Sequence, residues 1–143
     1  MIKTSKRKQL ASRVWVGLDW GSSEHSVSVV NEDRVLLGQF ESGVGLMELG
    51  MLAERLRCHG EVAGIAIEST VNPVVRYLCN QGFPIYLINP KLSKNWRAGF
   101  SVAGAKSDAR DGLVLAVELA RRYESLTPLK PGNVDLELAG LCE

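Results

Sequence analysis

The chain has few cysteines, few aromatic residues and no excess of charge of either sign. Its three cysteines, Cys58, Cys79 and Cys142, lie far apart, and no two of them form a Cys-x-x-Cys pair. This excludes a zinc ribbon and a thioredoxin-like redox site, and it indicates reduced thiols, so we expect a cytoplasmic protein. Seventeen basic residues against sixteen acidic ones leave a net charge of +1. That balance excludes a histone-like basic protein and an acidic disordered chain.

Long apolar stretches are also missing. The longest runs, among them Val62–Ile67 and Leu113–Val117, are far shorter than the roughly 20 residues that cross a bilayer. We therefore expect no association with a membrane. The first ten residues are basic and polar and lack the apolar core of a secretory signal.

The length of the chain, 143 residues of which 45% are hydrophobic, suits one domain with a substantial core. We expect a basic flexible arm over residues 1–13, because this stretch has five cations and no acid. A folded domain is expected over residues 14–125. Residues 126–143 begin with two prolines and a glycine and are interpreted as a linker that leads into a helical segment.

The pattern of apolar residues predicts an α/β domain with the element order β-β-β-α-β-α-β-α. Short buried or alternating runs predict the strands, and a 3.6-residue period predicts the helices. The second strand alternates serine with valine, which predicts that only one of its faces is buried. Residues 91–105 are expected to be irregular or weakly helical. The predicted strands are Val14–Leu18, His25–Val30, Arg34–Phe40, Val62–Ile67 and Phe83–Ile88, and the predicted helices are Ser42–Cys58, Asn72–Asn80 and Ser107–Tyr123.

Two connection rules predict the topology of the sheet. The first three strands form a meander, so strand two runs opposite to strands one and three. Right-handed helical crossovers then make strands four and five parallel to strand three. The prediction is a mixed five-stranded sheet in which only strand two is antiparallel to the rest. In sheets of this kind, sites gather at the carboxyl ends of the parallel strands.

Four acidic residues occupy positions at which this topology can bring them together. Asp19 ends strand one and Glu68 ends strand four, so their carboxylates meet at one edge if the two strands are neighbours. Asp108 and Asp111 lie three residues apart at the start of the last helix and therefore share a face. Such a set of carboxylates suits Mg²⁺, with Mn²⁺ as a substitute. A pair of these ions can activate the attacking oxygen and stabilise the leaving oxygen in phosphoryl transfer.

Each acid also has a structural interpretation. Asp19 precedes a Gly-Ser turn, and Asp108 with Asp111 matches the capped start of a helix. Glu68 follows directly on a wholly apolar strand and is less easily dismissed. The mutually consistent positions of the four, rather than any one of them, favour a site. His25 stands alone and is interpreted as a surface or hydrogen-bonded histidine rather than a ligand.

A stretch rich in cations separates the fifth strand from the last helix. No acid occurs from Pro90 to Ser107, and two aromatic residues, Trp96 and Phe100, lie within the stretch. Cations contact phosphates and aromatic rings stack on bases, so the stretch is a candidate nucleic-acid contact. The alternative is a solvated loop whose aromatic residues pack on the core. The basic residues concerned are Lys91, Lys94, Arg97, Lys106 and Arg110.

Four segments of the chain form a set with a family resemblance. They are Val16-Gly-Leu-Asp-Trp-Gly-Ser-Ser-Glu-His-Ser-Val, Ala66-Ile-Glu-Ser-Thr, Gly82-Phe-Pro-Ile-Tyr-Leu-Ile-Asn-Pro and Lys106-Ser-Asp-Ala-Arg-Asp-Gly. Together they resemble the DEDD transposases of the insertion sequence 110 family, over about Val14 to Tyr123. The resemblance implies a RuvC-like domain of the RNase H type whose catalytic, metal-binding acids are Asp19, Glu68, Asp108 and Asp111. Gly112 stands where the family usually has alanine.

The resemblance also implies partners and a further domain. Family members recombine DNA in prokaryotic cells and some are guided by a structured RNA. We therefore expect DNA, such an RNA and further copies of the chain in a homo-oligomer as partners of a nucleoid-associated protein. Members carry a second domain with a catalytic serine, so the chain is expected to be the N-terminal part of a longer protein.

Three other functions stay open at this point. A Holliday junction resolvase shares the fold and the acids. An actin-like or sugar-kinase ATPase domain is suggested by Leu18–Ser23, which is similar to the phosphate-binding hairpin of that superfamily, although no second phosphate loop is visible. A nucleic-acid-binding module without catalysis is the third, and the four intact acids weigh against it.

Overall fold

The computed structural model describes residues 12–19, 24–43, 45–68, 73–99 and 108–130, and for residues 24 and 108–110 it describes the backbone alone. Most of the predicted basic arm and the predicted C-terminal helical segment lie outside these residues.

Within this part of the chain, the strands and helices follow the predicted order, with one additional helix after the fifth strand. The strands are β1 (Arg13–Asp19), β2 (Glu24–Asn31), β3 (Leu36–Gly43), β4 (Glu61–Glu68) and β5 (Ile85–Ile88). The helices are α1 (Leu46–Cys58), α2 (Pro73–Asn80), α3 (Pro90–Gly99) and α4 (Asp108–Arg122), and a 3₁₀ turn, Tyr123–Ser125, follows α4. No helix of the described residues is long and apolar enough to cross a membrane.

The strands form one sheet in the order β3-β2-β1-β4-β5. β2 pairs antiparallel with both β1 and β3, whereas β4 pairs parallel with both β1 and β5. Only β2 therefore opposes the other strands, and the predicted mixed sheet is confirmed. β1 lies at the centre of the sheet next to β4, which is the arrangement that brings the carboxyl ends of these two strands together.

Helices cover both faces of the sheet. On one face α1 and α2 pack on a cluster that includes Val16, Leu18 and Val27. On the other face α4 and Trp96 of α3 pack on a cluster that includes Trp15 and Ala66. Because successive strand residues point to opposite faces, every odd-numbered position of β1 from residue 15 faces α4.

The predicted one-sided burial of β2 is wrong. Residues 25–30 are all buried, because α4 covers the face that carries Ser26 and Ser28. The serine side chains are short enough to lie under a helix. Their polar hydroxyl groups had led to the prediction that this face of β2 is exposed to solvent. His25 is also fully buried, and burial lowers the pKa of its imidazole.

The helix α4 buries a wide face against the sheet. Leu113, Ala116, Val117 and Ala120 recur at a helical period, but Leu113 and Val117 are only half-buried, whereas Ala116 and Ala120 are buried. Val114, Leu115 and Leu119 are buried as well.

Glycine in the middle of β1 allows α4 to lie directly on the strand. A Cβ atom added to Gly17 would collide with the carbonyl oxygen of Gly112 and would lie 2.5 Å from the backbone nitrogen of Ala116. A Cβ atom added to Gly112 would lie 3.3 Å from both the Ser26 carbonyl oxygen and the Ser28 hydroxyl. Backbone therefore packs on backbone here, and Gly112 has a packing role that its comparison with the family's alanine did not suggest.

The stretch after β5, expected to be irregular or weakly helical, begins with a regular helix over residues 90–99, and residues 100–105 lie outside the described part of the chain. Pro90 takes the first helical position, where its missing N–H costs nothing. The Asn89 side chain accepts a hydrogen bond from the Lys91 backbone N–H at 2.7 Å, and the Asn89 carbonyl accepts one from the Ser93 N–H at 2.9 Å. These two bonds cap the start of α3. Trp96, 5% exposed, anchors the helix in the core.

Replacing Gly17 with Ala should lower the free energy of unfolding by about 1–3 kcal/mol, because the new methyl group overlaps the backbone of α4 and forces the helix away from β1. Gly50→Ala is the matched control. Its nearest neighbour on another element is the Tyr77 hydroxyl at 3.5 Å, so the change should stabilise α1 by up to about 1 kcal/mol. Urea unfolding followed by circular dichroism measures both variants. A Gly17→Ala protein as stable as the parent would contradict the close packing.

Candidate active site

Two acidic residues end the neighbouring strands β1 and β4. The parallel pairing of these strands runs as far as Leu18 opposite Ile67, and Asp19 and Glu68 follow directly. Leu18 and Ile67 belong to the cluster under α1 and α2, so the next residue on each strand points to the opposite face. Asp19 and Glu68 are half-buried and lie on the side of the sheet that α3 and α4 cover.

The first turn of α4 brings a third acid to this edge. Asp111 is half-buried and precedes Gly112, whose carbonyl contacts Gly17 two residues before the end of β1. Asp108 begins the helix, but its side chain lies outside the described residues. Among the residues that the structure describes, no group of three or more Asp, Glu, His or Cys side chains is close enough to hold a metal ion.

Arg97 of α3 links two of these acids. Its Nη1 donates to Glu68 Oε2 at 3.3 Å, and its Nε lies 4.0 Å from Asp111 Oδ1. The side chains of Arg97, Glu68 and Asp111 are 30%, 28% and 33% exposed. Ion pairs this exposed contribute about 0–1 kcal/mol each, so their importance lies in geometry rather than in stability. One guanidinium spans carboxylates that come from different elements of the fold.

Ser93 holds Glu68 from a second direction. Its hydroxyl donates to Glu68 Oε2, accepts from Arg97 Nη1 at 3.4 Å and lies 3.1 Å from the Pro90 carbonyl. The side chain of Ser93 is completely buried. Sequence reasoning missed this residue, since a lone serine in a basic stretch carries no signal. Only a helical interpretation of the stretch places Ser93 and Arg97 on one face, four residues apart.

The predicted basic stretch divides between two environments. Lys91 and Lys94 are exposed on α3, whereas Arg97 points to the acids. Trp96 is buried in the core, so it is not available to stack on a base, and the packing alternative is correct for this residue. Lys106, Phe100 and the side chain of Arg110 lie outside the described residues.

Comparison with known proteins assigns the chain to a family. The family model of the DEDD transposases of insertion sequence 110 type, described as "Transposase", matches residues 16–142. The chain belongs to this family. It is 36% identical to the candidate transposase y4uE of Sinorhizobium fredii over 110 residues, and this aligned region covers 73% of this chain and 31% of that protein. It is 29% identical to the mini-circle candidate transposase for IS117 of Streptomyces coelicolor over 130 residues, and this aligned region covers 88% of this chain and 31% of that protein. The chain thus spans about a third of the length of these relatives.

Solved structures confirm the predicted RuvC-like fold of the RNase H type. Thermus thermophilus RuvC in complex with a Holliday junction substrate superposes with a TM-score of 0.60 at 17% identity, over 82% of this chain and 99% of that chain. A second Thermus thermophilus RuvC structure gives a TM-score of 0.55 at 16% identity, over 81% and 99% of the two chains. Identities this low establish the architecture of the domain and not its substrate.

The substitution Ser93→Ala removes a buried hydroxyl that donates to Glu68. It should lower the free energy of unfolding by about 1–2 kcal/mol. Ser125→Ala is the control. Ser125 also donates its hydroxyl, to the Arg122 carbonyl at 2.9 Å, but it does so in an exposed place, so the loss should stay within about 0.5 kcal/mol. Denaturant titration of both variants measures the difference. Equal losses would mean that the bond to Glu68 is unimportant.

Proposed function

We propose that the chain supplies the acidic, metal-binding site of a transposase that cleaves and joins DNA. The observation that carries the proposal is the approach of Glu68 and Asp111, from β4 and α4, to one guanidinium. Asp19 ends the neighbouring strand on the same face of the sheet, and Asp108 begins the helix that carries Asp111. These four residues are the proposed ligands.

The chemistry of the donors suits a divalent cation. Carboxylate oxygens are the preferred ligands of Mg²⁺ and Mn²⁺ in proteins. Acids gathered at one edge repel one another, and Arg97 between Glu68 and Asp111 supports the view that this place favours positive charge. A bound divalent ion would supply charge stabilisation for the attacking and leaving oxygens of a phosphodiester. We infer Mg²⁺ as the ion, with Mn²⁺ as its substitute.

The chain's own residues give the site its rigidity. Glu68 ends a paired strand and is held by Ser93. Asp111 belongs to a helix whose distance from β1 is set at Gly17. Groups placed on packed strands and helices keep their geometry better than groups on loops. The carboxylates are therefore positioned before any ligand arrives.

The outer side of α3 supports a contact with DNA beside these acids. Lys91 and Lys94 are exposed and lie three residues apart, and α3 contains no acidic residue. Lysine side chains contact the phosphate backbone regardless of base sequence. Because Arg97 is engaged by the acids, this helix would reach phosphates through the two lysines. Lys106 and Arg110, which follow in the chain, belong to the same proposed surface, and a guide RNA is a second candidate ligand for it.

Titration calorimetry with Mn²⁺ tests the metal site without requiring activity. The 143-residue protein should bind the ion, and Glu68→Gln and Asp111→Asn should each weaken binding about tenfold or more. Glu61→Gln is the matched control, because Glu61 is the exposed first residue of the same strand, at the opposite edge of the sheet. It should leave the affinity unchanged. Equal effects of Glu61→Gln and Glu68→Gln, or no binding by the parent, would refute the proposal.

The DNA contact is tested by the salt dependence of binding. Replacing Lys91 and Lys94 with Ala should weaken binding of duplex DNA and reduce the slope of log K against log salt by about one for each phosphate that the protein no longer neutralises. Lys130→Ala is the control. Lys130 is exposed. It follows Leu129, whose N–H donates to the Ile85 carbonyl at the start of β5, so Lys130 lies at the end of the sheet opposite to the acids. A slope that both sets of changes leave alone would contradict the assignment of α3.

A further inference from the structure

Arg97 is a cation inside the acidic site rather than on the outer side of α3. Its guanidinium contacts Glu68 through one nitrogen and approaches Asp111 through another, at 3.3 Å and 4.0 Å. The Ser93 hydroxyl lies 3.4 Å from the same Nη1. The positive group thus occupies the space between two residues that are proposed to share a metal ion.

The backbone at Arg97 is fixed, whereas its guanidinium reaches solvent. Trp96, the preceding residue, is 5% exposed in the core, and Ser93, one turn earlier, is fully buried. These two residues fix the backbone of α3. The Arg97 side chain itself is 30% exposed, so rotation about its own bonds can carry the guanidinium away from the acids without any movement of the helix.

A guanidinium and a divalent ion compete for the same oxygens. Two cations at contact distance repel each other, and the repulsion is stronger in a partly shielded site than in bulk water. Glu68 Oε2 already accepts hydrogen bonds from Ser93 and from Arg97, so a metal ion that used this oxygen would compete with both donors. A guanidinium at this place and a bound divalent ion therefore each weaken the binding of the other.

We propose that Arg97 is a resident counter-cation that holds Glu68 and Asp111 together before a divalent ion binds and that the ion must displace. The inference rests on the proposed metal site. It assigns Arg97 two effects of opposite sign: the residue stabilises the metal-free protein and weakens its affinity for the metal. An arginine with a merely structural role would have only the first effect, and its loss would leave metal affinity unchanged or lower it.

The test measures both effects in one set of variants. Arg97→Gln should lower the melting temperature in EDTA by about 2–4 °C, since two neighbouring carboxylates lose their counter-charge. The same variant should bind Mn²⁺ about tenfold more tightly than the parent protein in calorimetry. Arg97→Lys keeps the charge but not the two-pronged contact, so its affinity for Mn²⁺ should lie between those of the parent and Arg97→Gln.

Arg122→Gln is the matched control for the loss of an arginine–glutamate pair. Arg122 Nε lies 2.7 Å from Glu118 Oε1. Both residues belong to α4, and Glu118 lies about two turns beyond Asp111. This change should lower the melting temperature in EDTA and leave the Mn²⁺ affinity as it is. If the parent binds Mn²⁺ and Arg97→Gln binds it no more tightly, the inference is overturned while the metal site stands. If neither protein binds Mn²⁺, the metal site fails and the inference falls with it.

Discussion

The distance between α4 and the centre of the sheet governs the geometry of the candidate site. Gly17 has no side chain, and the carbonyl of Gly112 occupies the space that a Cβ atom would need. Any larger residue at position 17 would push the helix outward, and Asp111, which directly precedes Gly112, would move with it away from the ends of β1 and β4. The contact between the two glycines thus sets the position of a carboxylate as well as the packing of the core.

The electrostatics of the site depend on that placement. Parallel pairing of β1 with β4 puts Asp19 and Glu68 next to each other, and α4 adds Asp111 from above the sheet. Glu68 and Asp111, which both approach the Arg97 guanidinium, repel each other because they carry like charges. Arg97 relieves part of the repulsion and Ser93 part of the desolvation of Glu68. Both carboxylates nevertheless stay partly exposed to water, at 28% for Glu68 and 33% for Asp111.

The sheet and the positions of its acids could be predicted because they depend on local signals. Apolar runs mark the strands, connection rules orient them, and Asp19 and Glu68 are simply the residues at which β1 and β4 end. The regular helix α3 was expected to be irregular or weakly helical, although the sequence contains a signal for its start. Asn89-Pro90 was interpreted only as a strand stop, although Asn72-Pro73 was taken as a helix start and both pairs combine a capping residue with proline at the first position.

Other features could not be predicted from local signals at all. The alternation of Ser26 and Ser28 with valines describes a two-sided strand, but it does not say what covers the polar side, since that depends on how closely α4 approaches. The sequence also does not indicate which of the two cations Lys94 and Arg97 contacts the acids. One points to the acids and the other to solvent because α3 is oriented by Trp96, and that orientation is a property of the packed molecule.

The central claim, that the carboxyl edge of the sheet binds a divalent cation, is tested most directly by paramagnetic broadening in the amide spectrum of the ¹⁵N-labelled protein. As Mn²⁺ is added below saturation, the account predicts that the amide signals of Asp19, Glu68 and Asp111 are lost first, while those of Glu61 and Lys130 at the opposite edge persist. Broadening that begins elsewhere, for example around the exposed acids Glu41 and Glu48, or that spreads evenly over the protein, would contradict it.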